Sequence, residues 1–229
     1  MIGITFALPS ESSDLVRRFK SRRRSAELIF GKIDSHGVAI VHTGVGAKYC
    51  NERLELLIHK ARPRLVITAG FAGAVTNELR IGDLILAQNF SDPGLLEKAE
   101  RVLAGHKFRR TKLFTSTSIV DSIEQRNEIA RASGAAAVDM ETGAIANVCT
   151  AHGVPLLSLR VISDSPSEPF PAPMSILFDV KKQKTNLGKL FGHIVAKPTR
   201  LIRLMHFFAR IRGARKILAH AIVTLVAGI

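Results

Sequence analysis

The sequence predicts an α/β fold in which helices cover both faces of a central sheet. Over the first 165 residues, short apolar runs alternate with stretches whose apolar residues recur at helical spacing. The predicted strands are apolar throughout, which is typical of strands buried on both faces. A length of 229 residues, 46% of them hydrophobic, corresponds to one domain with a sizeable core.

The elements follow in order along the chain. Strands are expected where a short apolar run is bounded by turn residues, at residues 2–8, 38–42, 65–69, 83–87 and 156–162. Helices are expected at residues 48–60, 95–104, 123–132 and 140–152. Gly153 and Pro155 end the last of these. The proline-rich residues 165–173 are a loop, because proline fits neither a helix interior nor a central strand.

Basic residues concentrate near the C-terminus. The chain has a formal net charge of +14, and residues 181–229 hold eleven Lys or Arg and no acid. Residues 1–180 therefore form a nearly neutral globular domain, and residues 181–229 a basic helical extension. Helices are expected there at residues 187–195 and 201–226, separated by Pro198.

The second of these helices is amphipathic. Leu201, Leu204, Met205, Phe208 and Ile211 share one face, which is flanked by Arg200, Arg203, Arg210 and Arg212. Such a helix packs on its own domain or lies on an anionic membrane surface. Another basic run, residues 17–24, is expected to be a solvated helix face, with phosphate or lipid headgroups as the alternative partners.

Several classes of protein are excluded by composition. Two cysteines, Cys50 and Cys149, are too few for a disulfide scaffold or a four-cysteine zinc site, so two free thiols are expected. The N-terminus lacks the features of a signal peptide, and no apolar run reaches the roughly 20 residues of a membrane span. A cytoplasmic protein is therefore expected. Nothing except charge points to nucleic acid, since the chain has one Tyr, no Trp and no zinc-binding spacing.

Three segments place small or acidic residues at the ends of predicted elements. Residues 66–75, VITAGFAGAV, end a strand in small residues that let a ligand approach the backbone. Residues 137–146, AVDMETGAIA, put two acids at the start of a helix, where they also complement the helix dipole. Residues 160–164, RVISD, leave Asp164 at the end of an apolar strand, as a ligand-binding residue or as a cap for the next turn.

Together with an early glutamate, these segments resemble the purine nucleoside phosphorylase and nucleosidase superfamily over about residues 1–168. The residues that carry the resemblance are Glu11, Gly70 to Gly73, Met140 with Glu141, and Ser163 with Asp164. The most similar branch contains the methylthioadenosine/S-adenosylhomocysteine nucleosidases. The resemblance implies one α/β domain around a mixed, twisted sheet, assembled as a homo-oligomer. It also implies cleavage of the bond between ribose and a purine, by water or by phosphate as a co-substrate, with no metal or organic cofactor.

The resemblance also implies roles for single residues. Asp164 would protonate or hydrogen-bond the leaving purine at its N7 atom, and Glu11 would position or activate the attacking water. Glu141 would bind the ribose hydroxyls, with Met140 against the sugar. The base or nucleophile pocket would comprise Gly70, Phe71, Ala72, Gly73, Ser118, Val120, Asp139 and Ser163. These roles suit a transition state that resembles an oxocarbenium ion, which needs a proton donor at the base and negative charge near the sugar.

Three positions depart from the family's pattern. Phe71 replaces a serine of the nucleosidases, and Val120 stands where the family carries an aromatic residue that stacks on the purine. Thr68 stands where bacterial hexameric phosphorylases carry a phosphate-binding arginine. A phosphorylase would therefore take its cation from elsewhere, and the candidates are Arg17, Arg22 and His42. The changes at Phe71 and Val120 also leave open a non-catalytic module that only binds a nucleoside.

The region after the fourth predicted strand is shorter than in the family, which predicts a more open pocket. Together with the basic segment over residues 189–203, this resembles the hopanoid-associated phosphorylases, which act on an adenosyl group attached to a polycyclic lipid. The resemblance implies, as an alternative function, phosphorolysis of a lipid-linked substrate such as adenosylhopane. The extension would then contact the inner face of the membrane.

Overall fold

A computed structural model of the chain describes residues 1–170, 178–179, 184–185 and 199–229. The helix predicted over residues 187–195 lies outside the described residues. So do the side chains of Leu201, Leu204, Arg200 and Arg203. The division of the chain after residue 180 therefore stays a prediction.

Strands and helices alternate along most of the chain. The strands are β1 (Ile2–Phe6), β2 (Arg22–Ser25), β3 (Leu28–Ile33), β4 (His36–His42), β5 (Val66–Ala74), β6 (Leu84–Ala87), β7 (Phe108–Thr111), β8 (Leu113–Thr115), β9 (Ala137–Asp139), β10 (Leu156–Asp164), β11 (Phe178–Asp179) and β12 (Lys184–Thr185). The helices are α1 (Pro9–Val16), α2 (Ala47–Ala61), α3 (Pro93–Val102), α4 (Ile123–Ser133), α5 (Thr142–Ala151) and α6 (Thr199–Gly228).

The central sheet is mixed, as expected. Its main order is β2-β3-β4-β1-β5-β10-β6-β7. Strand β1 pairs in parallel with β4 and β5, and β5 pairs in parallel with β10. Strand β6 runs antiparallel to β10, and the short β9 runs antiparallel to the end of β5. The carboxyl ends of β1, β5 and β10 therefore lie side by side at one edge of the sheet.

Helices cover both faces of this sheet, which confirms the predicted layers. Helices α2 and α5 share an apolar cluster with β4 that includes Leu54 and Val148. Helices α3 and α6 share a second cluster with β1 and β10 that includes Ile4, Leu96 and Ile222. Both cysteines are buried and free. Burial raises the pKa of the Cys50 thiol to about 11 and that of Cys149 to about 12.

The N-terminal basic run is not a helix face, so that prediction was wrong. Helix α1 ends at Val16, and Arg22–Ser25 forms an exposed strand that pairs antiparallel with β3. An edge strand with both faces in solvent has no apolar alternation to reveal it. Two other boundaries also differ, because β1 ends at Phe6 and β5 continues through its small residues to Ala74.

Helix α6 belongs to the same packed structure as the sheet over its C-terminal half. Leu218, Ile222 and Leu225 are at most 1% exposed within the cluster that includes β1 and β10. Arg215 ties the helix to α1, because its Nε atom lies 2.5 Å from Asp14 Oδ2. Arg210 pairs with Glu168 in the loop that follows β10. Among the described residues, no helix is long and apolar enough to cross a membrane.

Candidate active site

A cavity of about 330 Å³ opens at the carboxyl ends of β1, β5 and β10. Eleven of the twelve residues predicted for the site line it: Glu11, Phe71, Ala72, Gly73, Ser118, Val120, Asp139, Met140, Glu141, Ser163 and Asp164. The twelfth, Gly70, lines a small adjoining space with Glu11 and Arg160. Residues scattered over 150 positions of sequence therefore meet in one place.

Glu11 is held in a fixed orientation on the first turns of α1. It is 6% exposed, and its carboxylate accepts hydrogen bonds from the backbone N–H of Leu8 at 2.9 Å and of Phe71 at 3.1 Å. Burial raises the pKa of Glu11, and the two backbone hydrogen bonds oppose that shift. A carboxylate with a raised pKa is a stronger base than an exposed one, which suits it to accept a proton.

Glu141 occupies the N-cap of α5, between α5 and α2. Its Oε1 atom accepts a hydrogen bond of 2.9 Å from the backbone N–H of Gly46, which precedes α2. Burial and the nearby negative charge of Asp139 raise the pKa of Glu141 to about 7. Glu141 thus exchanges its proton close to neutral pH, and the ionised form can accept hydrogen bonds from two hydroxyls.

Asp139 is engaged by the protein itself. It lies 3.0 Å from Arg160 Nε, and it accepts hydrogen bonds from the hydroxyls of Thr115 and Thr142. Arg160 also donates to Thr68 Oγ1 at 3.0 Å. The side chains of Asp139 and Arg160 are at most 3% exposed. This satisfied pair fixes the segment that carries Met140 and Glu141, and Thr68 belongs to the same network.

Asp164 lies at the end of β10, where the strand contains a bulge. The pairing with β5 shifts between Ile162 and Asp164, so Ser163 is an extra residue that redirects the chain toward the cavity. Ser163 Oγ donates to Asp164 Oδ1 at 2.6 Å. The other carboxylate oxygen forms an ion pair with Arg126 of α4, and both side chains are at most 3% exposed.

Two glycines of β5 make room for these carboxylates. A Cβ atom at Gly70 would lie 3.2 Å from Glu11 Oε1, and one at Gly73 would lie 3.1 Å from Asp164 Oδ2. Both distances are tighter than ordinary contacts, so any larger residue would press on the acid. Gly70 and Gly73 are three residues apart on one strand, which corresponds to roughly 10 Å. The two acids therefore lie at separate ends of the cavity.

One wall of the cavity is apolar and comes partly from α6. It is formed by Phe170, Phe207, Phe208 and Ile211. The rings of Phe170 and Phe207 are 5.2 Å apart, and those of Phe207 and Phe208 are 5.9 Å apart. Phe208 is 49% exposed, so this wall continues to the protein surface.

None of the three cations considered for phosphate lines this cavity. Arg17 pairs with Asp14 on the surface, and Arg22 is exposed on β2. His42 lines a separate cavity with Arg24 and Arg53. Burial, with a smaller effect of these two arginines, lowers the pKa of His42 to about 4. His42 is therefore neutral at pH 7 and supplies no charge to an anion.

Sequence reasoning missed several residues of the site. Arg126 is the most consequential, since nothing in the polar segment IEQRNEIARAS distinguishes the buried Arg126 from the exposed Arg131. Arg160 stands in the RVISD motif but was given no role. Phe170 and Phe207 were missed because their place in the wall depends on how α6 packs. The site therefore contains four buried acids and two permanently charged arginines, Arg126 and Arg160.

A family model described as the phosphorylase superfamily matches residues 1–92 and 87–196. The chain is 28% identical to the 5'-methylthioadenosine/S-adenosylhomocysteine nucleosidase of Staphylococcus epidermidis over 196 residues, which cover 72% of this chain and 86% of that protein. A nucleosidase of the same name from Haemophilus influenzae is also 28% identical, over 71% of this chain and 85% of its own length.

Solved structures of other proteins share this fold. The 5'-methylthioadenosine/S-adenosylhomocysteine nucleosidase of Neisseria meningitidis, in complex with methylthio-immucillin-A, has a TM-score of 0.76 and 17% identity. The alignment covers 100% of this chain and 99% of that one. Futalosine hydrolase of Helicobacter pylori has a TM-score of 0.74 and 18% identity, over 100% of this chain and 97% of its own.

Proposed function

The chain belongs to the phosphorylase superfamily, and we propose that it cleaves the N-glycosidic bond of an adenine nucleoside with water as the nucleophile. The observation that carries the proposal is the placement of Glu11, Glu141 and Asp164 around one cavity, with Glu11 and Asp164 at separate ends. The nucleosidases at 28% identity support the reaction and the base.

The sugar is bound at the end of the cavity that contains Glu141. The Glu141 carboxylate accepts hydrogen bonds from the two ribose hydroxyls, and Met140 packs against the ring. Gly46 and the Asp139–Arg160 pair keep this carboxylate in place. Because the hydrogen bonds are made by the ionised form, its negative charge also favours the positive charge that develops on the sugar.

Bond cleavage uses Glu11 and Asp164 at opposite ends of the reacting bond. As the bond between C1' and N9 breaks, its electron pair moves to the purine, and Asp164 gives a proton to N7. The water oxygen bonds to C1', and Glu11 takes the proton that the water loses. This step requires the protonated form of Asp164, and Arg126 beside it stabilises the carboxylate that forms. Solvent then takes the extra proton from Glu11 and returns a proton to Asp164.

Water is favoured over phosphate because the cavity offers no obvious phosphate site among the described residues. Arg126, which lines the cavity, is paired with Asp164, and Arg160, which lines the adjoining space, is paired with Asp139. A phosphate anion would also meet the charge of Glu11 at close range.

Product analysis tests this proposal. Purified protein is incubated with adenosine, methylthioadenosine or S-adenosylhomocysteine, each with and without phosphate, and the products are separated by chromatography. Adenine and the free sugar should appear at the same rate in both conditions. Release that requires phosphate, with a sugar 1-phosphate as product, would make the protein a phosphorylase. Binding without any product would leave the non-catalytic nucleoside-binding module.

The aromatic wall favours a second candidate, an adenosyl substrate with a bulky apolar group on the five-position of the sugar. The wall of Phe170, Phe207, Phe208 and Ile211 extends to the surface, where a long substituent could leave the cavity. A lipid-linked adenosyl group such as adenosylhopane has this chemistry. A series of 5'-alkylthioadenosines of rising chain length tests it. KM should fall with chain length, and the trend should disappear in Phe208→Ser. A flat series would contradict this candidate.

Assembly as a homo-oligomer is also proposed, on the family resemblance. Sedimentation velocity over a hundredfold range of concentration should show a single species heavier than the 25.0 kDa chain. A monomer throughout that range would contradict it.

A further inference from the structure

Outside the active-site cavity, three metal-ligating side chains meet at the surface of α2 and α5. One ligand atom each from Glu55, His59 and His152 lies within 4.8 Å of the other two, and this is the only such group of three among the residues that the structure describes. Glu55 Oε2 is 3.2 Å from His59 Nε2 and 2.8 Å from His152 Nε2. We propose that these three residues bind a divalent transition-metal ion, of which Zn²⁺ is the representative.

The positions of the three ligands are set by the fold. Glu55 and His59 are four residues apart on α2, so they share one face of the helix. His152 follows α5 directly, and its backbone N–H donates to the Val148 carbonyl at 3.1 Å. The two helices pack through a shared apolar cluster that includes Leu54 and Cys149. The site is therefore built before any ion arrives, which lowers the cost of ordering the ligands on binding.

The spacing of the ligand atoms suits a small ion. Zn²⁺ binds imidazole nitrogen and carboxylate oxygen at about 2.0–2.2 Å, so two ligands of a tetrahedral site are about 3.3 Å apart. The separations of 3.2 and 2.8 Å from Glu55 need only a small outward movement of exposed side chains. The ligand nitrogens of His59 and His152, which lie within 4.8 Å of each other, close around the ion. Each Nε2 must act as an acceptor, so both rings carry their proton on Nδ1 when the ion is bound.

The donor set selects the class of metal. Two imidazoles and one carboxylate suit Zn²⁺ and its neighbours, whereas Mg²⁺ and Ca²⁺ prefer six or more oxygen ligands. The side chains of His59, Glu55 and His152 are 68%, 42% and 28% exposed. An ion can therefore enter from solvent, with water in the fourth position.

An ion at this location would link helices α2 and α5. Gly46 at the start of α2 donates to Glu141 at the start of α5, so one hydrogen bond joins the N-terminal ends of this helix pair. A metal bound by Glu55, His59 and His152 would join the same two helices near their C-terminal ends. An ion that binds the native state but not the unfolded state raises the apparent stability of the protein. The melting temperature should therefore rise with Zn²⁺.

Calorimetry on the full-length, untagged and chelator-treated protein tests the site, with ZnCl₂ as the probe. We expect one Zn²⁺ per chain, with affinity at least tenfold weaker in His59→Ala and in His152→Ala. The matched control is the double variant His106→Ala, His220→Ala, which removes another histidine pair, with ring centroids 5.0 Å apart. This control should bind Zn²⁺ as the unaltered protein does. The melting temperature should follow the same pattern.

Co²⁺ in place of Zn²⁺ identifies the ligands. The d–d absorption should indicate nitrogen and oxygen donors, without the thiolate charge-transfer band that Cys50 or Cys149 would produce. Three outcomes would overturn the proposal: equal affinity in the His59 and His152 variants, loss of binding in the His106/His220 control, or a thiolate band. In each case the group would be an ion-paired surface cluster only. The outcome does not depend on nucleoside cleavage.

Discussion

Asp164 shows how a neighbouring strand and helix give one side chain a specific environment. The bulge in β10 redirects it, Ser163 and Arg126 bind its two oxygens, and Gly73 leaves the space that it fills. An asparagine of the same shape would fill that space but could not deliver a proton to N7. The ion pair with Arg126 would also be lost.

We therefore expect Asp164→Asn to lower kcat by about a hundredfold to ten-thousandfold, the usual contribution of a well-placed general acid. The measurement is the initial rate of adenine release, with circular dichroism to establish that the variant is folded. Asp34→Asn, on an exposed turn, is the matched control and should keep full activity. An Asp164→Asn enzyme with more than a tenth of the original kcat would contradict the assigned role.

Glu141 links activity to pH. Its pKa is raised to about 7, and the ribose hydroxyls need the ionised form. Protonation below pH 7 should therefore reduce kcat/KM about tenfold per pH unit, and the raised pKa of Glu11 acts in the same direction. A pH profile of kcat/KM should show this acid limb, and Glu141→Gln should lose the inflection near pH 7 along with most of its activity. A profile that is flat from pH 5 to 8 would contradict the assignment.

The same residue lowers the stability of the fold. Because the pKa of Glu141 rises from 4.5 to about 7 on folding, the folded state favours the protonated form. Stability should therefore fall as pH rises from about 4.5 to 7, by on the order of 3 kcal/mol from this group. Glu141→Gln, which retains an acceptor for Gly46, should be more stable than the unaltered protein at pH 8 and about equal at pH 4.5.

Urea unfolding at the two pH values measures this difference. Glu128→Gln is the control, because Glu128 is exposed on α4 and should give the same change at both pH values. A Glu141→Gln variant with no added stability at pH 8 would show that burial of the charge is tolerated without cost. The predicted result is the usual conflict between a site built for activity and one built for stability.

Among single residues, the acids of the site could be predicted from the sequence, whereas the groups that form hydrogen bonds or ion pairs with them could not. Glu11, Glu141 and Asp164 stand in motifs with recognisable neighbours, and the structure brings them to one cavity. Arg126 could not be predicted, because its burial depends on where α4 packs against the end of β5. The same holds for Gly46, whose contribution is a backbone N–H. Their chemistry comes from tertiary position and not from residue type.

Among the elements, most of those with apolar periodicity were predicted, but the apolar strand β3 and the short helix α1 were missed. Strands β4 and β6 and helices α2 and α4 agree with the prediction to within about two residues. The sequence predicts a helix face where β2 lies, because the four residues of β2 are all exposed and pair only at the edge of the sheet. Strands β7 to β9 hold three or four residues each, too few for an alternation to be visible.

Helix α6 is divided between two environments, and its C-terminal half should behave as core. Ile222 is fully buried, whereas Met205 is 63% exposed on the same helix. We expect Ile222→Ala to lower the free energy of unfolding by about 2–5 kcal/mol. Met205→Ala should change it by less than about 0.5 kcal/mol. Urea unfolding monitored by circular dichroism measures both. If Ile222→Ala changed the free energy of unfolding as little as Met205→Ala, α6 would not be packed on the sheet as described.

For the whole molecule, the separation of charge matters more than its total. Eleven of the basic residues lie in the last 49 positions, and the outer side of α6 combines exposed Arg212 and Lys216 with exposed Met205 and Phe208. A surface with both charge and apolar side chains suits an anionic membrane, whereas nucleic acid would require charge alone. Contact with a membrane would also bring the aromatic wall of the cavity close to lipid.

We therefore expect the protein to sediment with vesicles that contain anionic lipid and not with neutral vesicles. Arg212→Gln with Lys216→Gln should weaken this binding about tenfold or more at low salt, since each basic residue near the surface contributes about 1 kcal/mol. Met205→Ser with Phe208→Ser should weaken the part that persists at high salt, where charge is screened. Binding that vanishes with salt and ignores the Met205 and Phe208 changes would be purely electrostatic. The basic extension would then give no reason to place a lipid-linked substrate in the cavity.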